Sequence, residues 1–491
     1  MASKIFAVDM LELVENILKN LNNDTYSLYS CALVSRHWCR ISIPIIWQDP
    51  FKPGVQNTSF ISKYFSSLDE VEKLILKNHG INEKFSKTLF DYAKFLKVLD
   101  LFQLKIYVKK WIESQFALKS YYGSLIYYIS KLLFKLYIES GATLHKLDIY
   151  ISEFNEFKPE IINSLRQNEQ FLSRIQYLSL SLVEKSEIST KIVSTLLKIL
   201  EKTPMKLNAL QINYDYREFT VSSGENPKKF HGIVSALESQ IRSLREVIIE
   251  ACDYSAEFQI LMNCENLEIL RIRHCNYRNL LKRFDHNRIS TFELVDRQID
   301  ASEMWIIFEK SGTSLQRLKL ESTDVFIIEQ SSLLGALKSF CPNITFLDIS
   351  SIETSIQFLD LIGNLQKLQF LTLWCFWSID EKPNEKQIIQ LVIQLARTLP
   401  LTLQYLDLRN SRLNPYIGIL LKNCNAPLKQ LLIESIDGKK NAEALINFCK
   451  RKRTLKYVGV NNYCDWVLDD NFLKVDKYVT VVLYNHILVN C

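Results

Sequence analysis

Seven histidines, at positions 37, 79, 145, 231, 274, 286 and 486, and eleven cysteines are the side chains of this sequence best suited to nucleophilic or metal chemistry. None of the histidines has a sequence-level partner that marks a triad. No G-x-x-x-x-G-K-[ST] or G-x-G-x-x-G phosphate loop occurs, and no H-E-x-x-H or G-x-S-x-G motif. Paired carboxylates such as Glu250 and Asp253 are common at strand ends and carry no weight alone. His274 beside Cys275 is the sharpest metal candidate. Its further ligands would lie a whole structural repeat away on one ridge, too far to converge on one ion. The sequence therefore predicts no metal, no cofactor and no catalysis: a binding protein, not an enzyme. The chemistry left is recognition. Arg271, Arg273, Lys319 and Arg409 could receive an anionic group, and Arg271 with Arg273 would suit a phosphate mark. Trp374 could anchor a partner.

Composition narrows the partners. Sixty basic and 54 acidic residues leave a net charge of +6 on 491 residues, nearly balanced for this length. The one tight basic run, Lys450-Arg451-Lys452-Arg453, reads as a solvated helix end before a strand, which argues against nucleic acid. Asp9, Glu12 and Glu15 interrupt any apolar signal-peptide core, and no long uncharged apolar stretch suggests a membrane span. The expected location is cytoplasmic or nuclear. The cysteines then read as reduced thiols; their number is odd and no C-x-x-C pair occurs.

The elements that would position these residues come from a repeat. The pattern apolar-x-x-apolar-x-apolar recurs from Val71/Leu74/Leu76 and Leu96/Leu99/Leu101 through Leu144/Leu147/Ile149 to Leu455/Val458/Val460. Successive copies start 22 to 37 residues apart, except for a gap of 48 between Leu96 and Leu144. A degenerate copy, helical in character, is expected near residues 117–136. Such spacing fits leucine-rich repeats, each a short strand and a returning helix. The predicted fold is an α/β solenoid, a horseshoe with parallel strands inside and helices outside. Alternation along each strand turns the leucines inward and exposes Glu250, Arg271, Arg273, Glu293, Lys319, Asp348, Trp374, Asp407 and Arg409 on the open face, with a basic spot at Arg271, Arg273 and Lys319. Amphipathic segments such as Thr190 to Leu200 and Ile388 to Leu399 are expected to return on the other side, and Tyr214 to Phe230 and Ser378 to Glu385 to form loops. Cysteines follow strands at Cys252 and Cys275 and end helices at Cys264, Cys341 and Cys424, as in the cysteine-containing class of leucine-rich repeats. The expected organisation is a small all-α module over 1–50, a solenoid over 51–469 and a cap over 470–491, whose last strand is Val475 to Leu483.

The first fifty residues break the repeat. Met10, Leu13, Val14, Ile17, Leu18 and Leu21 form one helical stripe behind Asp9. A second helix from Thr25 or Ser27 is expected to carry Leu28, Val34 and Trp38, with Pro44 breaking the apolar stretch after it. Met10-Leu11-Glu12-Leu13-Val14-Glu15-Asn16-Ile17-Leu18, with Leu33-Val34-Ser35-Arg36-His37-Trp38, resembles an F-box, with Leu11 standing where the family carries proline. The resemblance implies docking on the small Skp adaptor of cullin–RING ubiquitin ligases, through contacts among Met10, Leu11, Leu13, Ile17, Leu28, Val34 and Trp38. It implies a substrate-recognition subunit whose repeats bind an unidentified target protein. The alternative is an interaction scaffold outside ubiquitination that binds the adaptor weakly or not at all; burial of the N-terminal stripe against the first repeats would favour it.

Overall fold

A computed structural model of the chain describes residues 13–21, 24–52, 58–116, 123–151, 164–182, 206–214, 238, 240–251, 263–275, 277–281, 287–324, 326–353, 355–374, 384–436, 438–461 and 470–487. They fall into two compact units, one of residues 1–224 with 231–244 and one of residues 225–230 with 245–491.

In the first unit, helix α1 (residues 13–20) is followed by α2 (Thr25–Ala32) and α3 (Arg36–Ile46). The single long second helix expected from the sequence is broken at Leu33-Val34. Ser35 is extended and its hydroxyl accepts the Trp38 N–H, starting α3 afresh. Asp24 caps α2 in the same way through Ser27. Pro44 does not end α3. It only removes one N–H, and Ile45 is held in a small core with Leu18 and Leu28, lined by Val14, Leu21, Cys31, Trp38, Ile41 and Ile46.

Trp47 then carries the chain into the repeats. Its ring stacks on Tyr92 at 3.9 Å and meets Tyr64 edge-on at 5.2 Å. The carbonyl of Gln48 accepts both Lys97 and Val98 N–H at 2.9 Å. The same forked bond recurs from strand to strand: Lys97 O takes His145 and Lys146, His145 O takes Gln176 and Tyr177, and Gln176 O takes Asn208 and Ala209. Gln48 thus stands one place ahead of the first strand in the backbone pattern and satisfies donors that an open sheet edge would leave bare. Four parallel strands follow, β1 (Val98–Asp100), β2 (Lys146–Ile151), β3 (Tyr177–Leu182) and β4 (Ala209–Tyr214), with Leu99, Leu147, Leu178 and Leu210 in register and buried.

One expectation fails in this unit, and another, the helical stretch near residues 117–136, holds without the strand that a full repeat would add. Val71, Leu74 and Leu76 lie on a helix, α4 (Glu70–Asn78), capped by Asp69; only Leu76 is buried. The gap from Leu96 to Leu144 holds no extra strand among the described residues, because β1 pairs directly with β2. It holds two helices, α5 (Leu101–Gln115) and α6 (Gly123–Glu139), whose buried Trp111, Ile112, Leu133 and Tyr137 thicken the apolar layer behind the sheet.

In the second unit ten parallel strands follow in order: β5 (Glu246–Glu250), β6 (Ile269–Arg273), β7 (Thr291–Asp296), β8 (Arg317–Ser322), β9 (Phe346–Ser350), β10 (Phe370–Trp374), β11 (Tyr405–Asp407), β12 (Gln430–Leu432), β13 (Tyr457–Val460) and β14 (Thr480–Leu483). One inward residue per strand stays in register: Val247, Leu270, Phe292, Leu318, Leu347, Leu371, Leu406, Leu431, Val458 and Val481. All are essentially fully buried. A one-residue slip would turn this row to solvent, so the leucine spacing fixes the register. The helices pack behind it: α7 (Gln330–Phe340), α8 (Ile356–Asn364), α9 (Glu385–Thr398), α10 (Ile417–Asn423) and α11 (Gly438–Lys452). Asn384 and Gln387 form a reciprocal cap that starts α9, which buries Ile388, Val392 and Leu395. The basic run ends α11 as expected, and Arg451 also caps α10, its guanidinium donating to Leu421 O at 2.6 Å and to Lys422 and Cys424 O at 2.9 Å. Each unit is thus an α/β, solenoid-like stack. The last strand is shorter than expected: residues 470–476 are helical, and β14 adds to β13 in parallel.

The loops expected at Tyr214 to Phe230 and Ser378 to Glu385, and the helix at Thr190 to Leu200, lie wholly or mostly outside the described residues, as do Cys252, Met10 and Leu11.

Candidate binding surfaces

Helices α1 to α3 use one side for their own core and leave apolar side chains on the other. Leu13 is 59% exposed, Ile17 54% and Val34 66%. Leu13 and Ile17 are one turn apart on α1, and Glu15–Lys19 beside them forms an i,i+4 ion pair on the same helix. Leu28, by contrast, is buried and Trp38 half-buried, both in the three-helix core. Leu28 is closed off in this core, whereas Trp38 packs against it and is only partly covered; apolar character alone does not distinguish the two roles. Three exposed residues escaped the sequence reading: Tyr26, Tyr29 and Leu33, spaced i, i+3 and i+7 along α2 and its exit. The signal was Ser35, which as an N-cap ends the preceding helix and turns Leu33 outward.

The second surface is the outward face of the sheet in the second unit. Register places one residue per strand in a row: Arg271, Glu293, Lys319, Asp348, Thr372, Asp407. Charge alternates along its first four members, and neighbours pair. Glu293, 3% exposed, accepts Arg273 Nε at 2.8 Å and Nη2 at 3.2 Å, and Arg271 Nη1 at 3.1 Å. Arg271 also reaches Glu246 at 3.3 Å and Arg273 reaches Glu250 at 3.8 Å. Lys319 lies 3.0 Å from Glu321 and 3.8 Å from Asp348. Burial pushes the Glu293 carboxyl up, but the hydrogen bonds and charge of Arg273 outweigh it and hold the group below its usual range.

The expected basic spot is therefore corrected. Three cations are matched by five carboxylates, Glu246, Glu250, Glu293, Glu321 and Asp348. A phosphate would have to displace carboxylates already in place. Arg409 is likewise engaged, donating to both Asp407 oxygens, with Nη2–Oδ2 at 2.7 Å. Trp374 sits half-buried at the end of β10, its carbonyl accepting the Ser351 N–H. Its neighbours Cys375, Phe376 and Trp377 lie outside the described residues.

Asp348 gives a pH-dependent prediction. Burial raises its carboxyl from 3.8 to about 7, against the opposing charge of Lys319. An acid whose folded value exceeds its unfolded one binds a proton more readily when folded. Its contribution is fully present below the unfolded value and is lost as pH rises through the folded one. Asp348→Asn removes this loss while Lys319 keeps Glu321. The variant should gain on the order of 2 kcal/mol at about pH 8 and nothing near pH 4. Denaturant midpoints at the two pH values check this; equal effects at both would contradict it.

Backbone geometry explains the strand exits. Ala251, His274 and Ser351, each the first residue beyond its strand, have φ of 55°, 52° and 53°. This left-handed step aims their N–H groups at the carbonyls of Arg273, Val295 and Trp374. His274 thus has a backbone role, and the Cys275 thiol donates to Arg273 O at 3.1 Å. Among the described residues no group of His, Cys, Asp and Glu converges as a metal site. Burial pushes the Cys264 and Cys341 thiols up to about 12, so both pack as small apolar groups.

No protein-family model and no curated protein matches this chain. Among the described residues no helix is long and apolar enough to cross a membrane.

Proposed function

We propose that the chain is the substrate-recognition subunit of an Skp–cullin–F-box ubiquitin ligase, its N-terminal helices acting as the F-box and its repeats binding a target protein. The observation that carries the reading is the exposure of Leu13 and Ile17 on α1 and of Val34 in the turn between α2 and α3, beside a core formed by Leu18, Leu28 and Ile45. Side chains this apolar, held on a preformed helix, are suited to bury against a partner. Full burial of the stripe against the first repeats would favour the scaffold alternative, whereas Leu13 and Ile17 are exposed. Trp47 and Gln48 supply what a presenting subunit needs, a stiff joint between the helices and the first strand. The ligase would act by proximity, with bond-making on other subunits, so no catalytic residue or cofactor is assigned to this chain. Neither nucleic acid nor membrane is part of the reading.

The test is adaptor capture by full-length protein carrying Leu13→Asp with Ile17→Asp. Both side chains are more than half exposed, so folding is unaffected. Affinity for a purified Skp-type adaptor should fall at least about tenfold per residue. Unchanged capture by the double variant would remove the assignment.

A further inference from the structure

On the outer face of the sheet the cations are matched by carboxylates. At one edge of the same unit they are not. Parallel strands joined by returning helices bring helix ends and strand starts to one edge. The last three passages from helix to strand, 422–429, 450–456 and 474–480, hold two, five and two cations and a single carboxylate, Asp476. Nine minus one leaves a net charge of +8, more than the +6 of the whole chain, so the remaining sequence sums to −2. The basic excess of the protein is thus concentrated here, which is the electrostatic pattern of a polyanion binder. The run 450–453 alone reads as a helix end; the fold adds the cations on either side of it.

The three passages lie against one another. Arg451 ties the second to the first through the carbonyls of Leu421, Lys422 and Cys424. The Lys456 N–H meets Lys429 O at 2.8 Å, which sets these two residues side by side ahead of β13 and β12, and the Thr480 N–H meets Lys456 O at 3.2 Å. Lys450 Nζ lies over the Tyr478 ring at 5.0 Å and joins the second passage to the third. Eight of the nine cations are exposed and Lys452 is half-buried. None of the nine forms an ion pair with a described residue. Helix ends favour a cation, but α7 ends with Lys338 alone and α9 with Arg397 alone. Arg453, just beyond α11, has φ of 54°, a backbone setting where glycine is usual.

Two rings stand among these charges. Tyr457, directly after Lys456, is 41% exposed, and Tyr478 is 47% exposed. A row of unpaired cations suits a chain of phosphates, and exposed rings suit unstacked bases. An acidic protein segment would use the cations and have no need of the rings.

We propose that the edge formed by Lys429, Lys450, Arg453, Lys456, Tyr457 and Tyr478 binds single-stranded nucleic acid, the cations taking phosphates and the rings taking bases. This goes beyond adaptor docking. It involves none of the N-terminal helices, so its failure is distinct from a failure of adaptor capture.

The probe is a fluorescein-labelled oligouridylate of about twelve nucleotides, titrated with full-length protein and read by fluorescence polarisation. Saturable binding with a Kd below about 100 μM at physiological salt is expected. Lys429→Gln with Lys456→Gln should weaken it at least about tenfold and flatten the slope of log affinity against log salt by about 1.4. Tyr457→Ala should weaken it at least about fivefold with the slope unchanged, and Tyr457→Phe should keep it. Lys429→Arg with Lys456→Arg should bind like wild type, which separates lost charge from lost folding. No saturable binding by wild type, an unchanged slope in the glutamine variant, or a Tyr457→Ala variant that binds like wild type each overturns the proposal. Displacement of the RNA by an oligoglutamate of equal charge, or by phosphatidylserine vesicles at equal charge concentration, also overturns it, in favour of an acidic protein or a lipid surface.

Discussion

Glu293→Ala is expected to destabilise the second unit by about 3 kcal/mol. The carboxylate is almost wholly buried and accepts three N–H groups from two arginines. Removing it leaves Arg271 and Arg273 facing each other across a site already shut off from most solvent. That penalty exceeds the modest net value of the intact pair, because the desolvation of both cations stays while the compensating charge goes. Glu293→Gln retains an acceptor and should cost less than half as much. The denaturant midpoint of the second unit reads both. A loss under about 1 kcal/mol for the alanine variant would mean that water already screens the arginines.

Trp47→Ala should cost the first unit about 3–5 kcal/mol. The indole is buried, stacked on Tyr92 and edge-on to Tyr64 and Phe60. The neighbouring residue, Gln48, supplies the carbonyl that the Lys97 and Val98 N–H groups need. Loosening Trp47 should therefore unfasten that carbonyl as well. The three-helix core of Leu18, Leu28 and Ile45 does not include Trp47 and should persist. The expected result is faster exchange at the Val98 amide and proteolysis near residue 50, with adaptor capture retained. Unchanged exchange at Val98 would show that the joint does not depend on this ring.

Much of the strand pattern was legible because it repeats: leucines two apart on one face leave a single register from strand to strand. The errors came where a different structure satisfies the same spacing. Val71, Leu74 and Leu76 fit the strand pattern, yet Asp69 with Glu72 three residues on is a helix start, and local capping prevailed. Leu28 and Leu13 look alike in sequence; only the fold of three helices on one another makes one core and the other surface. The ion pairs were hidden for the same reason. Arg271, Glu293, Lys319 and Asp348 occupy one position in successive repeats, so their alternating charge was present in the sequence, but pairing emerges only once the strands lie side by side.

Adaptor binding would run through the open apolar side chains Leu13, Ile17 and Val34 of the first helices and their turn. The decisive measurement is calorimetric titration of the full-length chain with a purified Skp-type adaptor, at low and at high salt. The account predicts a one-to-one complex of micromolar affinity or tighter, with a negative heat-capacity change from burial of Leu13, Ile17 and Val34, and little dependence on salt. No heat of binding at about 100-fold higher concentration, or binding that vanishes at high salt, would contradict it.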